Sequence, residues 1–333
     1  TIATILKTGY HRTQGEMNKK HNASESVYGG HLNWFLNGFH AGLTALYCHF
    51  DKVLQPQTET LYRRYYPTGK SFYNIGIDYG YISRRITFEG ETATGDCHAA
   101  ATINSVSVLL TEELSLIVLQ RFYSYKYYSL FSNGFSEGGH IQNENGIYIG
   151  TNWSPSRHLG LKAYADYAYF AWPNYLMPAN AHSWDQFFSI TWITGNWQAF
   201  AQYRLKDKSK TNKKDTSHNQ YIQQKVRFSI LYEKGPFSCK TQFDLADYRF
   251  DTHTTGYLYS TIIKYTYKNM ILEGSLGYFH TDDYNSRLYA YEPGLLYQLS
   301  FPSFYGRGIR YSLMTKTTIL KNLLVILKVG TSD

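Results

Sequence analysis

A chain of 333 residues with 33 Tyr, 19 Phe and 6 Trp but only 17% charged residues is too poor in charge for an ordinary soluble domain, where about 25% is usual. Its mean hydropathy is −0.41. The longest apolar runs, LSLIVL and LLVIL, fall far short of the roughly 20 residues a spanning helix needs, which excludes a helical membrane protein. The formal net charge of +8 suits phosphate-rich surface lipid, an anionic solute or nucleic acid, and selects none of them.

Strand-like segments follow one another in chain order near 1–12, 26–37, 39–51, 71–82, 86–93, 99–110, 114–129, 145–153 and 158–172. They continue near 183–193, 197–208, 219–232, 237–250, 256–267, 269–280, 308–317 and 321–330. Their signature is period-two alternation, because successive side chains of a strand point to opposite faces. In LGLKAYADYAYFAW, Leu159, Leu161, Ala163, Ala165, Tyr167 and Tyr169 oppose Lys162, Tyr164 and Asp166. In KVRFSILY, Val226, Phe228, Ile230 and Tyr232 oppose Lys225, Arg227 and Ser229. Very short turns such as TGN and EKGP alternate with longer polar connections such as FSNGFSEGGHIQNE and PNYLMPANAH. Together these features predict an all-β fold, a transmembrane up-and-down antiparallel β-barrel in the outer membrane of a Gram-negative bacterium. The basic run Arg204–Asp215 reads as a solvated loop.

Seventeen segments is an odd number, whereas single-chain bacterial barrels are normally even. The chain begins and ends in strand-like sequence, so the expectation is one barrel domain over 1–333 that is part of a larger barrel. The short/long alternation holds only if 281–307 is one long segment, external or folded into the lumen, with a small hairpin near the EPG tripeptide. Making LLYQLSF a spanning strand would put the next turn on the wrong side.

Charges on the polar face are predicted to line the interior, because an Arg or Lys facing lipid near the midplane costs about 2–4 kcal/mol. They are Lys162, Asp166, Arg204, Lys225, Arg227, Lys240, Asp244, Lys264 and Glu273. In the long segment, His280, Asp282, Asp283, Arg287, Tyr289, Tyr291 and Arg307 are the candidates for ligand contact. A histidine beside two carboxylates is also the kit of a rim hydrolase, but Asp, Asn and Ser in this density are first of all turn formers. GRGIR (Gly306–Arg310) reads as a basic strand start. Cys48, Cys97 and Cys239 have no paired spacing, so neither a disulfide framework nor a metal site is expected. No cofactor or enzymatic activity is predicted.

The stretches FYNIGIDYGY, RRITFEGETA, ATINSVSV, IQNENGIY and YFHTDDYNSRLYAYEPGLLYQLSFPSFYGRGIRYSL (Tyr278–Leu313) resemble the Bacteroidota helix-hairpin-helix envelope proteins. In that family periplasmic helix-hairpin-helix repeats precede a C-terminal barrel, and the resemblance implies an outer-membrane location. Those repeats are not in this sequence, so nucleic acid is a partner only through a domain absent from this chain. The expected partners are outer-membrane lipid and other envelope proteins. The function expected is a pore or uptake channel, with an interaction scaffold or DNA-uptake barrel as the alternative.

Overall fold

The computed structural model describes residues 1–5, 9–212, 218–297, 301–320 and 323–331. Its first eight strands are β1 (Glu25–Leu36), β2 (Phe39–Leu54), β3 (Gly69–Ile82), β4 (Ile86–Gly95), β5 (Ala101–Leu109), β6 (Leu114–Tyr123), β7 (Glu144–Ser156) and β8 (Leu159–Phe170). Next come β9 (Ala181–Thr194), β10 (Trp197–Thr211), β11 (His218–Lys234), β12 (Phe237–Arg249), β13 (His253–Tyr267) and β14 (Met270–Thr281). A two-residue pair, β15 (Leu288–Tyr289) and β16 (Ser303–Phe304), precedes β17 (Arg307–Leu320) and β18 (Leu323–Gly330). Apart from β15 and β16, these form one 16-stranded antiparallel sheet whose strand order follows chain order.

Burial along the strands is inverted relative to a soluble protein. Phe228 and Ile230 are each 53% exposed, while Asp244 is 3% and Gln242 8% exposed. A soluble sheet would hide the first pair and wet the second. Outward aromatics gather at two levels. Near the short-turn rim Trp197 packs on Tyr232 at 4.6 Å and Phe39 on Tyr81 at 4.4 Å. Nearer the other rim Tyr167 packs on Trp184 at 4.7 Å. Roughly 26 Å of strand separates Trp184 from Trp192 at about 3.3 Å per residue. With a barrel tilt of about 35–45°, that length projects to about 20 Å along the barrel axis, most of the apolar band of about 25 Å between aromatic girdles.

The turn between β1 and β2 shows why the short side is short. Asn37 and Gly38 both have positive φ, 50° and 86°, the conformation a two-residue hairpin turn needs to match strand twist.

Two sequence expectations are corrected. Among the described residues of 1–12 there is no strand of the main sheet, so its strands number 16 rather than 17; residues 6–8 lie outside the described ones. Ile2 instead bridges Leu54 in parallel, and Ile2 and Ile5 pack against the cluster of Cys48, Phe50, Leu54, Phe72 and Leu130. The apolar residues Ile2 and Ile5 are three apart, a spacing that does not fit one face of a strand. The second correction concerns Arg204–Asp215. Residues up to Thr211 belong to β10 and pair with β11 as far as His218, because Lys206 and Lys208 find an acidic partner inside. Of that run, 213–215 lie outside the described residues.

Candidate functional site

The interior wall carries a belt of ion pairs. Arg121 on β6 is fully buried, binds Glu144 of β7 through Nε, and reaches Asp166 of β8 at 2.7 Å. Space for its guanidinium comes from Gly146, where a Cβ would lie 2.5 Å from Arg121 Cζ. Farther round, Asp185 on β9 accepts from Arg204 at 2.5 Å and from Lys206 at 3.1 Å. Arg227 donates to Asp244 at 2.5 Å, and Gln242 completes that carboxylate at 2.6 Å. Lys264 faces Glu273 at 3.7 Å. Burying a charge is tolerable only when it is paired and hydrogen-bonded, and at these positions the wall meets that condition with its own opposite charges. Lys162 and Lys240 occupy inward positions on β8 and β12 nearer the short-turn rim, cross-strand from Ser189 and Ile262 respectively.

Two connections of the other rim fold onto this wall. In the segment between β6 and β7, Glu137 meets Lys206 at 3.4 Å and Lys208 at 3.9 Å. The backbone N–H groups of Glu137 and Gly138 donate to Glu144 at 2.9 and 2.8 Å. In the segment 282–306, Glu292 accepts from Arg310 at 2.5 Å and from Lys328 at 2.6 Å. Leu288, Ala290 and Phe304 are buried against Ala246 and Leu258 of the wall. Arg227 also donates to the Tyr289 carbonyl at 3.0 Å. Of LLYQLSF, 298–300 lie outside the described residues; Leu296 and Tyr297 form a turn.

The candidates of that segment divide into three groups. Asp282 accepts from the Thr255 N–H at 2.7 Å and its hydroxyl at 3.0 Å. Those two bonds hold its carboxyl below the usual range. Burial pushes Asp283 up, but hydrogen bonds from Asn285 and Ser286 outweigh it and leave the group low. His280 lies 3.7 Å from Asp282, and both are substantially exposed. The two aspartates are thus turn acceptors, facing different partners. Arg307 pairs with His280 across the β14–β17 ladder, and Tyr291 packs on Phe301 at 5.7 Å. Arg287 and Tyr289 point elsewhere: they join Lys225 in lining a cavity of about 300 Å³ between the wall and the infolded segment.

Sequence reasoning missed Arg121, Glu137, Glu144, Asp185, Glu292, Arg310 and Lys328. In LSLIVLQRFY both faces are apolar before Arg121, so parity carries no signal there. Glu137 and Glu292 sit in connections, which have no period at all. Asp185 was readable, since Trp184, Phe188, Ile190 and Trp192 mark the opposite face of its strand.

An outward apolar face, two aromatic levels and a charged, paired interior define the chain as a transmembrane β-barrel. No family model matches the chain, and no curated protein matches it. Among solved structures it is similar to "Copper transporter OprC", at 11% identity and TM-score 0.48, covering 93% of this chain and 60% of that one. It is also similar to the FrpB iron transporter from Neisseria meningitidis, at 9% identity and TM-score 0.47, over 92% of this chain and 58% of that one. Pseudomonas aeruginosa OccK8 (OprE) gives 9% identity and TM-score 0.44 over 92% and 87%. The chain thus spans about three fifths of the length of the two transporters. At these values the likeness carries no argument about mechanism.

Proposed function

We propose that this chain forms the wall of an outer-membrane channel whose lumen is narrowed by two infolded segments. The observation that supports the reading is the way those segments are held. Glu137 and Glu292 reach Lys206, Lys208, Arg310 and Lys328 of the wall, so acidic residues on connections dock onto cations of the strands. Contacts of this kind hold a constriction in place and release it without unfolding the barrel, because the strands keep their backbone ladders. The short turns face the periplasm and the long connections face outside, as in other outer-membrane barrels.

Planar-bilayer recordings of the purified protein test the reading. The wild type is expected to show small or infrequent openings, and Glu137→Gln combined with Glu292→Gln to raise the open fraction several-fold. Silence of both proteins, with folding verified by heat-modifiable electrophoretic mobility, would count decisively against a channel.

A second reading is supported by the resemblance of Tyr278–Leu313 to the helix-hairpin-helix envelope proteins: a scaffold or DNA-uptake barrel. It calls for a periplasmic partner domain. Co-purification of envelope proteins with the barrel, together with electrical silence, would favour it.

A further inference from the structure

We infer that the lumen contains a binding site for a small hydroxylated anion, such as a sugar carboxylate or sugar phosphate, centred on Lys225 and Arg287. This deepens the channel reading by naming a solute class, but its geometry stands apart from conductance. The site is the cavity of about 300 Å³ bounded by Lys210, Tyr221, Lys225, Tyr248, Arg287 and Tyr289. That volume is at the small end of ligand pockets, which suits one sugar-sized molecule.

Charge imbalance is the first argument. Three cations line the cavity and no carboxylate does. The two neighbouring cations of the wall are matched: Arg204, directly across the ladder from Lys225, has Asp185, and Arg227, two residues along, has Asp244. Lys225 lies between them and makes no ion pair or hydrogen bond with a described residue. On the infolded segment the Asp283 carboxylate, two residues before the Asn285 of the lining, is occupied by Asn285 at 2.7 Å and by the Ser286 N–H at 3.1 Å. Like charges gathered inside a barrel wall repel strongly when water is scarce. An anion in the cavity relieves that repulsion.

The second argument is the neutral lining. Tyr221 and Tyr248 meet edge to face at 5.1 Å, and Lys210 lies 5.1 Å from the Tyr221 ring centroid. Gln223 and Asn285 add amide groups to the lining. Rings, phenol hydroxyls and amides offer both stacking surface and hydrogen bonds, which a bare halide does not use but a sugar acid does. Arg287 is positioned for the charged end: its Nε is fixed by the Tyr289 hydroxyl at 2.7 Å and its Nη1 by the Tyr284 carbonyl at 2.8 Å. A guanidinium so held is preorganised for a carboxylate or phosphate.

Isothermal titration of the detergent-folded full chain tests the site with three probes: sodium glucuronate, glucose 6-phosphate and neutral glucose. Saturable binding of at least one anion, without binding of glucose, is expected. Lys225→Gln and Arg287→Gln should each weaken it about tenfold or more, since each removes a charge-assisted contact. Lys225→Arg should retain it, and Lys162→Gln, near the short-turn rim, should leave it unchanged. Preference for one anion identifies the carboxylate or the phosphate form of the ligand. The proposal is overturned if neither anion binds the folded wild type, or if binding survives both neutralising variants. Conductance without anion binding would remove this site and leave the channel reading intact; binding in a silent barrel would do the reverse.

Discussion

Arg121 is the residue on which the interior belt turns, because it is itself fully buried and answers two buried carboxylates, Glu144 and Asp166. Removing one member of such a group leaves uncompensated charge in a site that water does not reach, whereas removing all members leaves a merely apolar patch. Arg121→Leu is therefore expected to destabilise the barrel by about 3–5 kcal/mol, and the triple change of Arg121, Glu144 and Asp166 to Leu to recover most of the loss. Urea unfolding in detergent would measure both. Equal destabilisation by the single and the triple variant would mean that the guanidinium acts through packing rather than charge. The same residue shows the limit of reading by parity. Nothing in its flanks marks an inward face, and only the convergence of β7 and β8 gives it partners.

Among the elements, the 282–306 segment is the one whose seating depends on a wall built to receive it. Gly256 of β13 is the point of closest approach. A Cβ there would lie 2.4 Å from the Ser286 carbonyl oxygen and 2.8 Å from Thr281 Cγ2. Gly256→Val should lift the turn off the wall and speed tryptic cleavage after Arg287 in the folded barrel several-fold. Gly274→Ala, whose Cβ would meet only Leu313 at 3.9 Å, should not. If cleavage is equally slow in both, the segment is held by Glu292 and its apolar anchors without help from this contact. The alternation of connections predicts 281–307 as one long segment; it carries no information about the direction in which such a segment folds.

For the molecule as a whole, the arrangement rests on the apolar exterior. Phe228 and Ser229 are neighbours on β11 that point to opposite sides, one 53% exposed on the outside and the other toward the lumen. Phe228→Arg should cost about 2–4 kcal/mol if it sits in the hydrocarbon band, while Ser229→Arg should cost far less. Folding yield into lipid vesicles, measured side by side, checks the assignment; similar penalties at both positions would refute the two-faced wall.

Strand existence, spacing and inside-out parity were written in the sequence, because a wall between lipid and water imposes a different demand on every second residue. That demand put Asp166, Arg204, Arg227 and Asp244 on the polar face of their strands. The partners of those charges were not legible, nor was the absence of a main-sheet strand among the described residues of 1–12. Ion pairs such as Glu137 with Lys206 and Glu292 with Lys328 join residues far apart in the chain, and connections lack the periodic constraint that marks a strand. The cavity at Lys225 and Arg287 needed both: parity put the lysine inside, and only the inward fold of 282–306 brought the arginine to it.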